Sequence, residues 1–458
     1  MKNALLLIVF LFSSILGSVA GERTTKEFPK HYTTDEKIAA LSTLWSELKY
    51  NFVFADRLTF DQDSLYRAYL PQISATENDV EFFNLLKRYI ARFNDGHTSI
   101  PDYSYKWKEV YDFAPLLFET IGNRYYIARL WESSGLDSLA LGAELVDIEG
   151  VPAQEYVKEH YFPEIAHGSE SAKYAAAGSG YIGTGLPNSH FRGVLKQQDG
   201  TMRPFDIRNN YYQCQNRNGR YWEWTGFRKP RKARVSLEWL KDDIAWLDFR
   251  FFDDKDAART DSMLNVIGKQ ASALILDLRY CPGGSSLVGN RLMTYLVDAD
   301  YCLTGGARTR LSTGYGRAQG NWRPEYEDIY QYRAFETLPS DTLHIDRSKH
   351  LRCPVVILTD KYTASAAETF LVQLYELPNR PRIIGRQTEG STGAPLVIDL
   401  PHDACVRICT LCHLFPVSGK PFINDGIRPD IPCSPTVEDY LSGRDRALEQ
   451  AIKTFNKK

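Results

Sequence analysis

The chain has 458 residues, 43% of them hydrophobic and 24% charged, a balance that excludes a disordered, collagen-like or coiled-coil polymer. Lys+Arg number 55 and Asp+Glu 57, for a formal net charge of -2, so there is no basic field to hold nucleic acid. A single hydrophobic core rarely grows to this length, and two or three domains are expected.

Residues 1–20 read as a signal peptide. Lys2 is the positive end, Ala4 to Phe12 the apolar stretch, and Ser18-Val19-Ala20 a small-x-small cleavage site before Gly21. The expectation is a periplasmic or secreted protein with no stable membrane insertion. An exported chain can oxidise its eight cysteines, although a chain this large does not need disulfides to fold.

Residues 31–104 predict a helical amino-terminal domain. Ile38, Leu41, Trp45 and Leu48 recur at helical spacing, a short helix fits Ser64 to Leu70, and a third runs from about Asp79 to Arg92. It ends in the turn Asn94-Asp95-Gly96-His97-Thr98, which holds His97 tightly. Residues 105–211 read as short strands with Gly-rich turns and resemble a PDZ-like module, a fold that holds peptide ends by strand addition. Within it, the small-residue stretch Gly168 to Gly185 reads mainly as loop. Residues 212–240 read as linker or surface insertion.

From residue 241 to 445 the pattern is α/β. Ile244 to Phe249, Ala273 to Leu278, Pro354 to Thr359 and Pro381 to Gly385 are apolar strands alternating with helical segments. Ligands of such sheets bind beyond the carboxyl ends of the strands. Two turns fall there, Cys281-Pro282-Gly283-Gly284 and Tyr362-Thr363-Ala364-Ser365-Ala366. A serine at a helix start suits a nucleophile, because the free amides and dipole of the first turn favour a developing oxyanion. Ala366 and Gly283 or Gly284 can supply donors. The same local pattern also fits a plain helix cap at Ser365.

The segment Asp277-Leu278-Arg279-Tyr280-Cys281-Pro282-Gly283-Gly284, followed in order by Thr363-Ala364-Ser365-Ala366-Ala367-Glu368, Ile384-Gly385 with Thr388 and Gly390, and Asp425-Gly426-Ile427-Arg428-Pro429-Asp430-Ile431, resembles the tail-specific, C-terminal-processing serine peptidase family. The resemblance implies an α/β fold with a ClpP/crotonase-like core, a helical amino-terminal domain and a PDZ-like domain. It also implies serine endopeptidase activity on a peptide or unfolded protein substrate. The common bacterial branch takes its base from a lysine in a Gly-Lys step, and here that position is Ser391. The chain therefore looks closer to the tricorn-like branch, related to interphotoreceptor retinoid-binding protein, in which an amino-terminal histidine is the base.

On this reading Ser365 is the nucleophile, His97 the general base, and Gly283, Gly284 and Ala366 the oxyanion donors. Asp425 is the third member, with Glu389, Glu368 and Asp95 as rivals. Lys361 reads as a surface lysine, and Asp430 as a structural support. No metal or cofactor is required. Cys409-Thr410-Leu411-Cys412-His413 matches a haem-attachment spacing and, with Cys405, a zinc set, but alternation of its side chains predicts a strand. Two alternatives compete: a non-catalytic peptide- or lipid-binding protein on the same fold, and another acyl-transfer enzyme.

Overall fold

The computed structural model describes residues 28, 30–101, 110–211, 219–224, 233–391 and 393–456. The expected signal peptide and Cys214 lie outside them.

Three helices, Thr34–Asn51, Gln62–Ser74 and Asp79–Ala91, open the described chain. Each begins at a side-chain cap, and Thr33 with Glu36 completes a reciprocal capping box. Their apolar faces bury Leu41, Leu44, Leu48, Phe82, Phe83, Leu86 and Tyr89. The helices do not close this core alone. Val406, Ile408, Cys409, Cys412 and Ile423, from far along the chain, belong to the same cluster. The helices thus share their core with a distant segment, because the hairpin of Pro395–Asp399 with Cys405–Cys409 completes the helical layer.

The next unit is an antiparallel sheet ordered Leu116–Ile121, Arg124–Trp131, Glu144–Ile148, His190–Lys196 and Met202–Arg208. Two helices cover it, Ala153–His160 and Glu170–Gly180. The second occupies most of the stretch expected as loop. Ser169 caps it, and the alanines at its centre favour helix enough to absorb the glycines at its end. The segment expected as linker also contributes strands. Tyr221–Glu223 joins Arg124–Trp131, and Val235–Trp239 joins the next sheet.

That sheet has six strands in the order Val235–Trp239, Ile244–Phe249, Ala273–Asp277, Val355–Thr359, Arg382–Gly385 and Ile431–Pro432. The first pair is antiparallel and the rest are parallel. Ala273–Asp277 is buried at every position, as a strand covered on both faces must be. Helices Ser286–Leu296 and Ala366–Tyr375 pack on one face through Val288, Leu292, Phe370 and Leu371, and helix Arg446–Phe455 packs on the other through Ala447 and Ala451. Short strands between residues 301 and 344 form small satellite sheets that the sequence pattern did not reveal.

Cys281, Cys302, Cys353, Cys412 and Cys433 are free thiols. Cys405–Cys409 and Leu411–Leu414 are two strands broken at Thr410. Among the described residues no cluster of His, Cys, Asp and Glu could hold a metal ion, and no helix is long and apolar enough to cross a membrane.

Candidate active site

Ser365 stands at the start of helix Ala366–Tyr375, just beyond strand Val355–Thr359. Its backbone takes φ 53° and ψ -123°, a region that non-glycine residues avoid at a cost of about 1–3 kcal/mol. The hydroxyl makes no cap hydrogen bond to its own helix. The strained turn therefore presents Oγ outward instead of spending it on the helix end, as in a nucleophile elbow. Three backbone bonds hold the turn. Ser365 N–H donates to Ser391 O at 2.9 Å, Ala364 N–H to Cys281 O at 3.0 Å, and Thr369 N–H to Ser365 O at 2.9 Å.

His97 arrives from the end of the third helix, 268 residues away in sequence, with Nε2 3.2 Å from Ser365 Oγ. Its turn is stitched to strand Cys405–Cys409. Ser99 and Arg407 exchange backbone hydrogen bonds, and Cys409 N–H donates to Thr98 Oγ1 at 3.0 Å. Burial holds the His97 imidazole below its ordinary value, against the raising influence of Asp95 and Glu389. It is therefore a neutral base near pH 7. Asp95 is buried beneath it, and burial raises its carboxyl against hydrogen bonds from the Thr98 hydroxyl and His97 amide.

On the far side of the ring, Nδ1 lies 2.6 Å from Ser391 Oγ. Ser391 belongs to a loop held by Glu368, which lies three residues after Ser365. The Glu368 carboxyl takes the Gly390 amide at 2.8 Å, the Ser391 amide at 3.0 Å and a short bond with the Thr388 hydroxyl. Burial pushes this carboxyl up to about 8. His167 lies 3.1 Å from Glu389 beside the same loop. Burial pulls its imidazole down, but Glu389 leaves it raised overall.

The glycine turn lies against Ser365. A Cβ on Gly283 would sit 2.6 Å from Ala366 N and 2.7 Å from Ser365 Cβ, so only glycine leaves the first helical amide uncovered. That amide has no acceptor within its own helix. Gly283 O accepts from Phe252 N–H, and Phe252 O accepts from Ser285 N–H, each at 2.8 Å. Strand alternation then directs the Gly284 amide to the opposite side. The Gly283 amide is engaged with the sulfur of Cys281, whose thiol burial pushes up to about 12. Of the three expected oxyanion donors, the Gly283 amide is thus already engaged, and Gly284 and Ala366 remain the candidates.

Two further expectations are corrected. Asp425 does not reach His97, whose Nδ1 meets a serine instead. Asp425 sits in an exposed turn, where its carbonyl accepts from the Gln387 amide. Lys361 is no surface lysine. Its ammonium donates to Thr120 O at 2.7 Å and pairs with Glu119 at 3.0 Å, and burial lowers it to about 8. It joins the PDZ-like sheet to the turn before Ser365. Tyr362 stacks on Tyr280, and Thr363 Oγ1 donates to Leu278 O. Asp430 pairs with Arg380 and accepts the Ile383 amide, a supporting role. The sequence reading treated Ser391 only as the place of a missing lysine, and it passed over His167 altogether. The signal for Ser391 was that its position matches a catalytic residue in the resembled family.

Residues 243–433 match the model of peptidase family S41. Among solved structures, mature CPAF is similar at TM-score 0.67 and 16% identity, with 92% of this chain and 96% of that chain covered. The complex of mature CPAF with lactacystin gives 0.66 and 16%, covering 92% and 98%. A Parabacteroides merdae protein gives 0.52 and 18%, covering 93% and 97%. No curated protein matches. The comparisons correct the expected ClpP/crotonase-like core. The likeness spans 92% of the chain, and the fold resembles the S41 peptidase architecture with its PDZ-like module. The physical reason lies in the packing, since a separate two-stranded hairpin, inserted between the fifth and sixth strands of the sheet, completes the helical core. Residues 243–433 thus carry the likeness to peptidase family S41, in line with the resemblance to the tail-specific, C-terminal-processing serine peptidases, and the solved structures show a shared fold over the rest.

Proposed function

We propose that Ser365 and His97 are the catalytic pair of this serine-type endopeptidase, and that its substrates are exported proteins or peptides. The observation that carries the pair is the 3.2 Å approach of His97 Nε2 to a hydroxyl held out by a strained turn. As Ser365 Oγ bonds to the scissile carbonyl carbon, its proton passes to Nε2. The carbonyl oxygen becomes an oxyanion facing the Gly284 and Ala366 amides. Collapse breaks the C–N bond, and His97 returns the proton to the leaving amine. Water then repeats the sequence on the acyl-enzyme, its proton going to Nε2 and then back to Ser365 Oγ.

A periplasmic or extracellular site of action rests on the leader of residues 1–20. An unfolded or terminal segment suits a reaction that needs an extended strand laid along the Gly284 turn. Fluorophosphonate labelling of the mature protein, followed by peptide mapping, tests the pair. Label on Ser365 that largely disappears in His97→Ala supports it. A folded, unlabelled protein, or label indifferent to His97, refutes it and moves effort to peptide or lipid binding.

A further inference from the structure

We propose that Ser391 is the positioning residue for His97, replacing the carboxylate that usually orients a catalytic imidazole. This inference rests on the Ser365–His97 reading and deepens it.

The geometry is direct. Ser391 Oγ lies 2.6 Å from Nδ1, the ring nitrogen opposite the nucleophile. A neutral imidazole that carries its proton on Nδ1 donates to this hydroxyl and keeps its Nε2 lone pair for Ser365. One residue also fixes both partners, because Ser391 O accepts the Ser365 amide at 2.9 Å. The peptide is itself anchored, since Ser391 N–H donates to buried Glu368 at 3.0 Å. The residue is 5% exposed, so water cannot readily replace its hydroxyl. The neighbouring residue makes room for it. A Cβ on Gly96 would stand 2.8 Å from Ser391 Oγ and 2.9 Å from His167 Nδ1. The bare glycine before His97 is what lets a hydroxyl from another part of the chain reach the ring.

A hydroxyl orients the ring without lending it a full negative charge. The charged and titratable groups facing His97 are Asp95 from its own turn, Glu389 from the Ser391 loop, Arg407 from the strand behind it, His167 from the PDZ-like unit and His413. None of the carboxylates among them occupies Nδ1. The imidazolium formed during attack is thus held by a dipole and by more distant charges. A carboxylate at 391 would stabilise that cation and raise the imidazole pKa.

The test follows fluorophosphonate inactivation of the mature protein across pH, with Ser391→Ala, Ser391→Thr and Ser391→Asp beside wild type. Ser391→Ala should slow inactivation at saturating probe by about 10- to 100-fold with little change in half-saturation, because tautomer and aim are lost but the probe site is not. Ser391→Thr, which keeps the hydroxyl, should recover most of the rate. Ser391→Asp should move the acid limb upward by about one pH unit. The ring 15N spectrum of His97 should show the Nδ1–H tautomer in wild type and a mixture in Ser391→Ala, a readout that survives loss of activity. An unchanged rate and tautomer in Ser391→Ala would overturn the proposal. So would a threonine variant that is folded but no faster than alanine. If wild type itself is not labelled at Ser365, the Ser365–His97 reading falls first and takes this one with it. Label that depends on His97 but not on residue 391 refutes only the role of Ser391.

Discussion

Ser99 and Arg407 form an antiparallel bridge, with Ser99 N–H donating to Arg407 O at 3.0 Å and Arg407 N–H to Ser99 O at 2.9 Å. This joint sets the position of His97, two residues earlier. Thr98, fully buried between them, reinforces it by accepting the Cys409 amide. Thr98→Val keeps the volume but removes the hydroxyl that accepts the Cys409 amide and donates to Asp95. Stability should fall by about 1–3 kcal/mol in urea unfolding. The fluorophosphonate rate should fall as well, because the turn that aims His97 is loosened while Ser365 is untouched. A variant less stable but equally reactive would show that the bridge alone aims the histidine.

Parts of this site were legible in the sequence because their signals are local. Gly283 beside an apolar strand end, and a serine before a helix, are punctuation that short-range physics requires. The approach of His97 to Ser365 is a closure across 268 residues, and no local pattern encodes it. Only the family resemblance pointed to it. Asp425 misled because its position in the chain matched the family pattern, whereas its side chain stays at the surface. Lys361 misled for the opposite reason. A lysine in a polar turn reads as solvated, and only the docked PDZ-like strand buries it against Glu119. The hairpin around Cys405–Cys409 hid its role in the same way, since its apolar face completes a helical core more than 300 residues earlier in the chain.

The Lys361–Glu119 pair should behave as a buried ion pair at a domain junction. Removing one partner takes from the other its nearest opposite charge. Lys361→Met should destabilise by about 3–5 kcal/mol, and Lys361→Met with Glu119→Leu should recover much of that loss. Thermal unfolding of the single and double variants measures the coupling. Additive losses would mean that the two charges are solvated separately.

Glu368 makes a pH prediction. Its folded carboxyl is raised from the ordinary 4.5 to about 8, so between those values the folded state holds a proton that the unfolded state has released. Its contribution to stability is complete below about 4.5 and is lost as pH rises toward 8. Glu368→Gln, which keeps a donor and an acceptor, should flatten that loss and preserve labelling. Glu368→Ala should strip the partners from the Gly390 and Ser391 amides and abolish labelling through the loop. Urea unfolding across pH 5 to 9 separates the two. Equal behaviour of Gln and Ala would refute the hydrogen-bonding role.

Asp425→Ala should change the fluorophosphonate rate by less than about twofold. Its carbonyl, which the substitution leaves in place, makes the contact to Gln387. A loss of about 100-fold or more would mean that the carboxylate swings onto His97 during the reaction, and would return it to the catalytic set.

Gly283→Ala isolates the oxyanion turn. The position combines φ +92° with a Cβ that would meet Ala366 N at 2.6 Å and Ala364 O at 2.7 Å. These neighbours are backbone and cannot rotate away. The methyl must either push the Ser365 turn out of line or cover the Ala366 amide. Reactivity should fall by about 100-fold, the scale of losing one oxyanion donor. Stability should fall by more than about 1 kcal/mol. Gly135→Ala is the control, since it has φ +73° with nothing within 4 Å of the added methyl. It carries the backbone strain without the collision, so it should lose stability and keep full reactivity. If both variants label at the wild-type rate, the Ala366 amide is not where the oxyanion forms.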